Sequence, residues 1–135
     1  MSETTIKWIA GVGGGIASFL FGGWDSALTA LAVFMGIDYL TGFLAAGKAG
    51  KLNSNVGLWG IAKKAGVFAV VAVVHQLDLH LLEGQADVFR DGAIFFFLAN
   101  EALSILENCG RLGVPIPPGV RRAVEELQGK GEEKK

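Results

Sequence analysis

Five polar side chains near the end of the last apolar segment form the pattern most able to carry chemistry. At about 100° per residue along a helix, they fall within an arc of about 120°: Asn100, Glu101, Ser104, Glu107 and Asn108. Apolar residues occupy the remaining faces. Because lipid cannot satisfy polar groups, such a stripe must face other helices, water or the membrane interface. It is therefore a candidate functional surface, unless Glu107 and Asn108 simply lie past the membrane edge.

Asp38 is the most deeply placed charge in the sequence. It lies in the apolar run Val33–Leu40, with no cation near it on the same predicted helix. An ionisable side chain in a bilayer costs about 3 kcal/mol or more, so it usually pairs or serves a function. Lys63 and Lys64 are candidate partners because long side chains can reach inward. Asp38 is either half of a structural buried pair or part of a gate or proton-sensitive switch.

The sequence lacks the combinations of residues that catalysis requires. We find no nucleophile with a base, no carboxylate pair at catalytic spacing and no cluster of metal ligands. His75 and His80 lie about 140° apart on a helix and cannot share a metal. The glycines of Gly11–Gly15 lack the strand and the lysine of a phosphate-binding loop. We expect no enzyme activity, no cofactor and no metal, and the net charge of −1 indicates no nucleic-acid partner.

Four mostly apolar stretches must position these residues. They are Ile6–Gly23, Ser26–Ala46, Ile61–Leu82 and about Val88–Leu106, in a chain that is 51% hydrophobic. A bilayer core requires roughly 20 apolar residues in a helix. The sequence predicts an all-α integral membrane protein with four transmembrane helices, which form a domain over residues 1–110.

Charge between the stretches predicts the topology. A basic loop with Lys48, Lys51, Lys63 and Lys64 separates the second stretch from the third. An acidic loop with Glu83, Asp87, Arg90 and Asp91 separates the third from the fourth. The C-terminal tail is again basic. Short loops rich in Lys and Arg stay in the cytoplasm. Both termini are therefore predicted to be cytoplasmic. A three-span alternative would put the basic loop and the basic tail on opposite sides.

The tail, residues 111–135, is predicted to be cytoplasmic and charged. Its three prolines, Pro115, Pro117 and Pro118, should end the fourth helix. Val120–Gln128 could then form a short amphipathic helix, and Gly129–Lys135 is expected to be disordered.

Small residues form stripes on two of the predicted helices. The first carries Gly11, Gly15, Ser18 and Gly22, and the third carries Ala62, Ala65, Ala69 and Ala72. Small residues let membrane helices approach closely and gain van der Waals contact. Each stripe predicts either packing within one monomer or an interface between copies.

Several segments, in order, resemble one family. They are Asp38–Gly42, Gly50–Ser54, the run from Gly57 to Lys64, the run from Asn100 to Asn108, and Gly113–Pro117. Together they resemble the small phage holins of the toxin-secretion and phage-lysis type, over about Val33 to Leu127.

The resemblance implies a homo-oligomeric pore former in the bacterial cytoplasmic membrane. Its partners would be the lipid bilayer and further copies of itself, and an endolysin or a large toxin would be released without stable binding. Two alternatives come from other classes. One is a small proton-coupled transporter that uses Asp38, His75 and Glu101; the other is a non-porating scaffold that recruits a partner through its tail.

Overall fold

The described part of the chain folds into five α-helices joined by short turns. A computed structural model describes residues 1–84 and 86–131, with side chains through residue 127, and contains no strand in those ranges. The helices are α1 (Glu3–Phe21), α2 (Ser26–Lys48), α3 (Ser54–Leu81), α4 (Val88–Arg111) and α5 (Pro118–Gly131). The all-α prediction is confirmed for the described residues.

Short polar side chains begin the first three helices. Oγ of Ser2 accepts a hydrogen bond from the N–H of Thr5 at 3.2 Å, and Oδ1 of Asp25 accepts one from the N–H of Leu28 at 3.0 Å. Asn53 plays the same part for α3. Such caps satisfy backbone donors that have no partner inside the helix.

Glycines in the left-handed conformation end α1, α2 and α4. Gly22, Gly50 and Gly113 have φ angles of 78°, 68° and 94°. After α2 and α4 the chain closes in the same way: the N–H of Lys51 donates to the carbonyl of Ala46, and that of Val114 to Cys109. Residues with a Cβ rarely adopt this conformation, so the glycines fix where each helix stops.

Two predicted boundaries are wrong. α3 begins at Ser54, before the predicted start at Ile61, so Lys63 and Lys64 lie well inside the helix. α5 extends from Pro118 to Gly131, so the disorder predicted from Gly129 is wrong as far as Gly131, and residues 132–135 lie outside the described part of the chain. Proline is well suited to the first helical position.

α2, α3 and α4 form a bundle with a small apolar core. Five buried side chains make up its centre: Leu28, Leu31, Met35, Val71 and Ile94. α4 packs mainly against α2 and α3, whereas the backbone of α1 approaches that of α3 alone among the described helices. α1 contributes no buried residue.

The exterior of the bundle is apolar, as expected of a membrane protein. Large side chains such as Trp8, Phe19, Leu40 and Trp59 are more than half exposed. Among the described helices, α1, α2 and α3 are long and apolar enough to cross a membrane. α4 has 24 residues and would span about 36 Å, but it is more polar. Its charges determine how it is packed.

Candidate functional site

Lys64 joins the middles of three helices. Its ammonium Nζ, on α3, lies 2.7 Å from Oδ2 of Asp38 on α2 and 3.0 Å from Oε2 of Glu101 on α4. The side chains of Lys64, Asp38 and Glu101 are only 20%, 17% and 9% exposed. Two carboxylates therefore share one largely buried cation, and removal of that cation would leave both uncompensated.

Asn108 fastens α4 to α2 beside this ion pair. Its Nδ2 lies 2.9 Å from Oδ1 of Asp38, 3.1 Å from the Asp38 carbonyl and 3.1 Å from Oγ1 of Thr41. Its Oδ1 accepts a hydrogen bond from the guanidinium of Arg111. We call Asp38, Lys64, Glu101 and Asn108 the Lys64 network.

Glycines allow the helices to approach closely here. A Cβ on Gly42 would lie 3.4 Å from Nδ2 of Asn108, and one on Gly57 would lie 3.2 Å from the hydroxyl of Tyr39. The contact at Gly57 is tight and that at Gly42 leaves no room beyond a Cβ, so a residue larger than alanine at either position would push α3 or α4 away from α2. The glycines thus explain part of the residue pattern around Asp38 and at the start of α3.

A cavity of about 640 Å³ opens beside the network at the end of the bundle where α2 and α4 stop. We call it the basic-end cavity. Four cationic and three carboxylate side chains line it: Lys51, Lys63, Lys64 and Arg111, with Asp38, Glu101 and Glu107. The polar residues Asn100, Ser104 and Asn108 and several apolar side chains complete the wall.

The structure therefore brings most of the sequence-predicted polar residues together. All five residues of the α4 stripe line the cavity, and Glu101 and Asn108 are buried. Of the two candidate partners for Asp38, Lys64 makes the ion pair. Lys63 lies on the cavity wall and is exposed.

The small-residue stripes point away from the bundle core. A Cβ on Gly11 or Gly15 would meet nothing within 4 Å, whereas one on Gly22 would lie 2.6 Å from the ring of His75. Ser18 is exposed, as are Ala62, Ala65 and Ala69, and Ala72 is partly buried. Most of both stripes is thus unused for packing within the described monomer.

A second buried charged group, at the opposite end of the bundle, was missed from the sequence. Arg90, at 4% exposure, donates from Nε to the carbonyl of Phe21 at 2.6 Å, and its Nη2 lies 2.9 Å from Oδ2 of Asp25. Asp78 is fully buried and accepts from the backbone N–H groups of Phe89 at 2.9 Å and Arg90 at 2.8 Å. We call Phe21, Asp25, Asp78 and Arg90 the Arg90 cluster.

This cluster caps helices with side chains from other helices. Asp78, on α3, satisfies N–H groups in the first turn of α4, where a negative charge is favourable. Arg90 in turn satisfies a C-terminal carbonyl of α1. The sequence predicts Arg90 to lie in the acidic loop, whereas the structure places it in the first turn of α4. The sequence carried only a partial signal: Asp78 lies between Leu77 and Leu79, and Arg90 follows Phe89.

Asp25 is the solvent-accessible member of the cluster. Burial raises the pKa of its carboxyl, but the hydrogen bond from the N–H of Leu28 and the nearby Arg90 guanidinium together lower the pKa by more than burial raises it. The pKa of Asp25 is therefore below its usual value. Asp25 remains ionised at neutral pH and holds Arg90 from the start of α2.

His75 belongs to this end of the bundle and not to the Lys64 network. Its ring is buried against Gly22, and its Nδ1 lies 4.0 Å from Oδ1 of Asp87. The three residues of the transporter alternative are therefore divided between the two ends. Within the described residues, no group of three or more His, Cys, Asp or Glu side chains is placed to hold a metal ion.

Comparisons with known proteins agree on one family. A family model described as the bacteriophage holin family matches residues 15–129. An uncharacterised protein of Halalkalibacterium halodurans is 42% identical over 131 residues, which cover 94% of this chain and 96% of that protein. A probable holin of Bacillus phage phi105 is 32% identical over 99 residues, covering 73% and 71% of the two chains. No solved structure matches.

Proposed function

Because this chain belongs to the bacteriophage holin family, we propose that it forms homo-oligomeric pores in the bacterial cytoplasmic membrane. The pore would let an endolysin, or a large toxin, cross the membrane without binding it stably. The protein would act by permeation and not by catalysis, and would need no cofactor.

The observation that carries this proposal is the position of the polar stripe of α4. The stripe faces α2, α3 and the basic-end cavity, and its carboxylate Glu101 is held by Lys64. The other sides of the bundle are apolar. A monomer can therefore lie in lipid with most of the stripe turned away from the lipid, apart from the exposed Glu107 near the end of α4. If α4 separates from Lys64 in a dense assembly, the same surface can line a shared aqueous lumen.

The outward-facing small residues support self-association. Gly11 and Gly15 on α1 have open space beside them. Because no hydrophobic force drives helices together within lipid, close approach along small residues is one of the main sources of association energy. We propose that the stripes on α1 and α3 contact neighbouring copies.

We further propose that α4 is a fourth span and that both termini are cytoplasmic. The charged side chains Arg90 and Glu101 on α4 have partners inside the bundle, so they need not face lipid. Lys48 and Lys51 would then lie on the cytoplasmic side, as basic loops do. Cysteine labelling in intact cells tests this, because opposite accessibility of residues 51 and 122 would contradict it.

Vesicle leakage tests the function itself. Full-length protein is reconstituted into vesicles that hold a small dye and a fluorescent dextran of endolysin size. A holin should release both once a threshold protein density is reached. Release of the small dye alone would favour the transporter, and release of neither would favour the scaffold. The variant Gly15→Leu blocks close approach of helices and should raise the threshold density. Gly15→Ala, which keeps a small residue, is its matched control and should leave the threshold unchanged.

A further inference from the structure

The mouth of the basic-end cavity presents cations that have no carboxylate partner. Neither Lys51 nor Lys63 makes an ion pair within the ranges the structure describes, and Arg111 bonds there to the amide of Asn108. All three are exposed. Among the lining carboxylates, only Glu107 is exposed, because Asp38 and Glu101 lie deeper and are bound to Lys64. The outer part of the cavity is therefore positive.

The amino terminus of α3 adds to this positive potential. Asn53 and Val56 line the cavity, so the first turn of a 28-residue helix borders it. That turn contains no acidic residue. The partial positive charge of the helix terminus is thus left uncompensated by the chain itself.

An apolar groove continues from the cavity along α2 and α3. This second space, of about 480 Å³, shares Tyr39, Phe43, Leu52, Asn53 and Gly57 with the first and extends to Leu58 and Ile61. Phe43, Leu52 and Leu58 are each more than half exposed. A free anion would gain no contact from such an apolar groove, whereas an acyl chain would pack along it.

The length of α3 places this site at the edge of the bilayer. Its 28 residues would span about 42 Å, against about 30 Å for the hydrocarbon core. Tilt takes up part of the excess length, and the rest lies at headgroup level. The part of α3 before Lys63 lies beside Lys51 and the end of α2. This end of α3 reaches the headgroup level, so the positive mouth of the cavity meets the phosphate layer.

We propose that the basic-end cavity binds one anionic phospholipid, with its phosphate between Lys51, Lys63 and Arg111 and an acyl chain along Phe43 and Leu58. The combination of a cationic mouth and an adjoining apolar groove fits a lipid better than a soluble anion or an acidic peptide. This inference rests on the membrane placement of α2 to α4 and not on pore formation, so the two can fail separately.

Native mass spectrometry of the full-length protein in detergent tests the proposal. We expect phosphatidylglycerol to be retained about tenfold or more above phosphatidylcholine at equal concentration. The variant Lys51→Gln/Lys63→Gln should reduce that preference to within about threefold. The control Lys7→Gln/Arg121→Gln has the same change in net charge but removes exposed cations that are paired with Glu3 and Glu125. It should keep the preference.

Four results would overturn the proposal. Equal retention of the two lipids by the wild type would show that no anionic lipid site exists, and an unchanged preference in Lys51→Gln/Lys63→Gln would place it elsewhere. Displacement of phosphatidylglycerol by millimolar inorganic phosphate would identify a soluble anion as the ligand, and displacement by polyglutamate an acidic peptide. Melting curves of both variants should match the wild type, because neither touches the Lys64 network.

Discussion

The Lys64 network and the Arg90 cluster both bury charge inside a mainly apolar bundle, but different groups satisfy that charge. In the Lys64 network, side chains of three helices bind one another beside a cavity. In the Arg90 cluster, side chains bind backbone groups at the ends of helices. Water can replace a side-chain partner when helices separate, whereas a helix end loses its cap. The first arrangement is suited to opening and the second to holding the fold.

Removal of Arg90 should cause the largest loss of stability and tests this comparison most directly. Arg90→Met should destabilise the protein by about 3–5 kcal/mol, because removal of the buried guanidinium leaves both the part-buried Phe21 carbonyl and the half-exposed Asp25 without their partner. Accumulation in membranes should fall, and thermal unfolding in detergent should shift downwards. Arg121→Met, which removes an exposed arginine, should change stability by less than about 0.5 kcal/mol. Equal melting temperatures for the two variants would mean that the cluster does not hold α1 and α2.

Removal of Lys64 should have a similar but smaller effect. Lys64→Met leaves Asp38 and Glu101 facing each other without a cation, but the adjoining cavity can admit water to them. We expect a loss near the lower end of about 3–5 kcal/mol. Lys63→Met is the matched control, since that neighbouring side chain makes no ion pair within the described residues.

A compensating variant sharpens the interpretation. Adding Asp38→Asn and Glu101→Gln to Lys64→Met removes the uncompensated charge and should restore most of the lost stability. If the triple variant melts as low as Lys64→Met alone, the loss comes from packing around the lysine stem and not from charge.

Glu101→Gln should separate activity from stability. Lys64 keeps its bond to Asp38, and the amide can still accept a hydrogen bond, so stability should change by less than about 1 kcal/mol. The attraction between α4 and Lys64 weakens, so dye release should begin at lower protein density and lysis should start earlier. Glu126→Gln, on the exposed face of α5, should leave the onset unchanged. Unchanged onset in Glu101→Gln would remove this residue from the opening step.

Much of the secondary structure could be predicted from the sequence, because long apolar blocks bounded by polar residues identify helices well. The start of α3 was missed because Asn55, Gly57 and Gly60 give the segment the composition of a loop. In the structure, Gly57 and Gly60 face the ring of Tyr39 and allow close packing. Tertiary contact, which composition does not report, decides their conformation.

The Lys64 network and the Arg90 cluster differ in how far the sequence predicts them. Asp38 stood out as a lone charge in an apolar run, and the α4 stripe stood out because helical phase alone brings its polar residues onto one side. The sequence did not show whether Lys63 or Lys64 pairs with Asp38. The two are adjacent but point about 100° apart, and the choice depends on how α3 is rotated against α2. The Arg90 cluster could not be predicted, because Asp78 and Arg90 bind backbone groups whose position depends on how the helices are arranged.

The smallest expected effect concerns pH at the Arg90 cluster. The pKa of Asp25 is lowered in the folded protein, so its contribution to stability is present above its unfolded pKa of about 3.9 and is lost as pH falls through the lower folded value. Melting in detergent should therefore show a small loss of stability below about pH 4. Asp25→Asn is the matched control, because asparagine also caps a helix but does not titrate. The wild type should lose more stability than Asp25→Asn over this range, and parallel curves would mean that the carboxylate charge contributes nothing to holding Arg90.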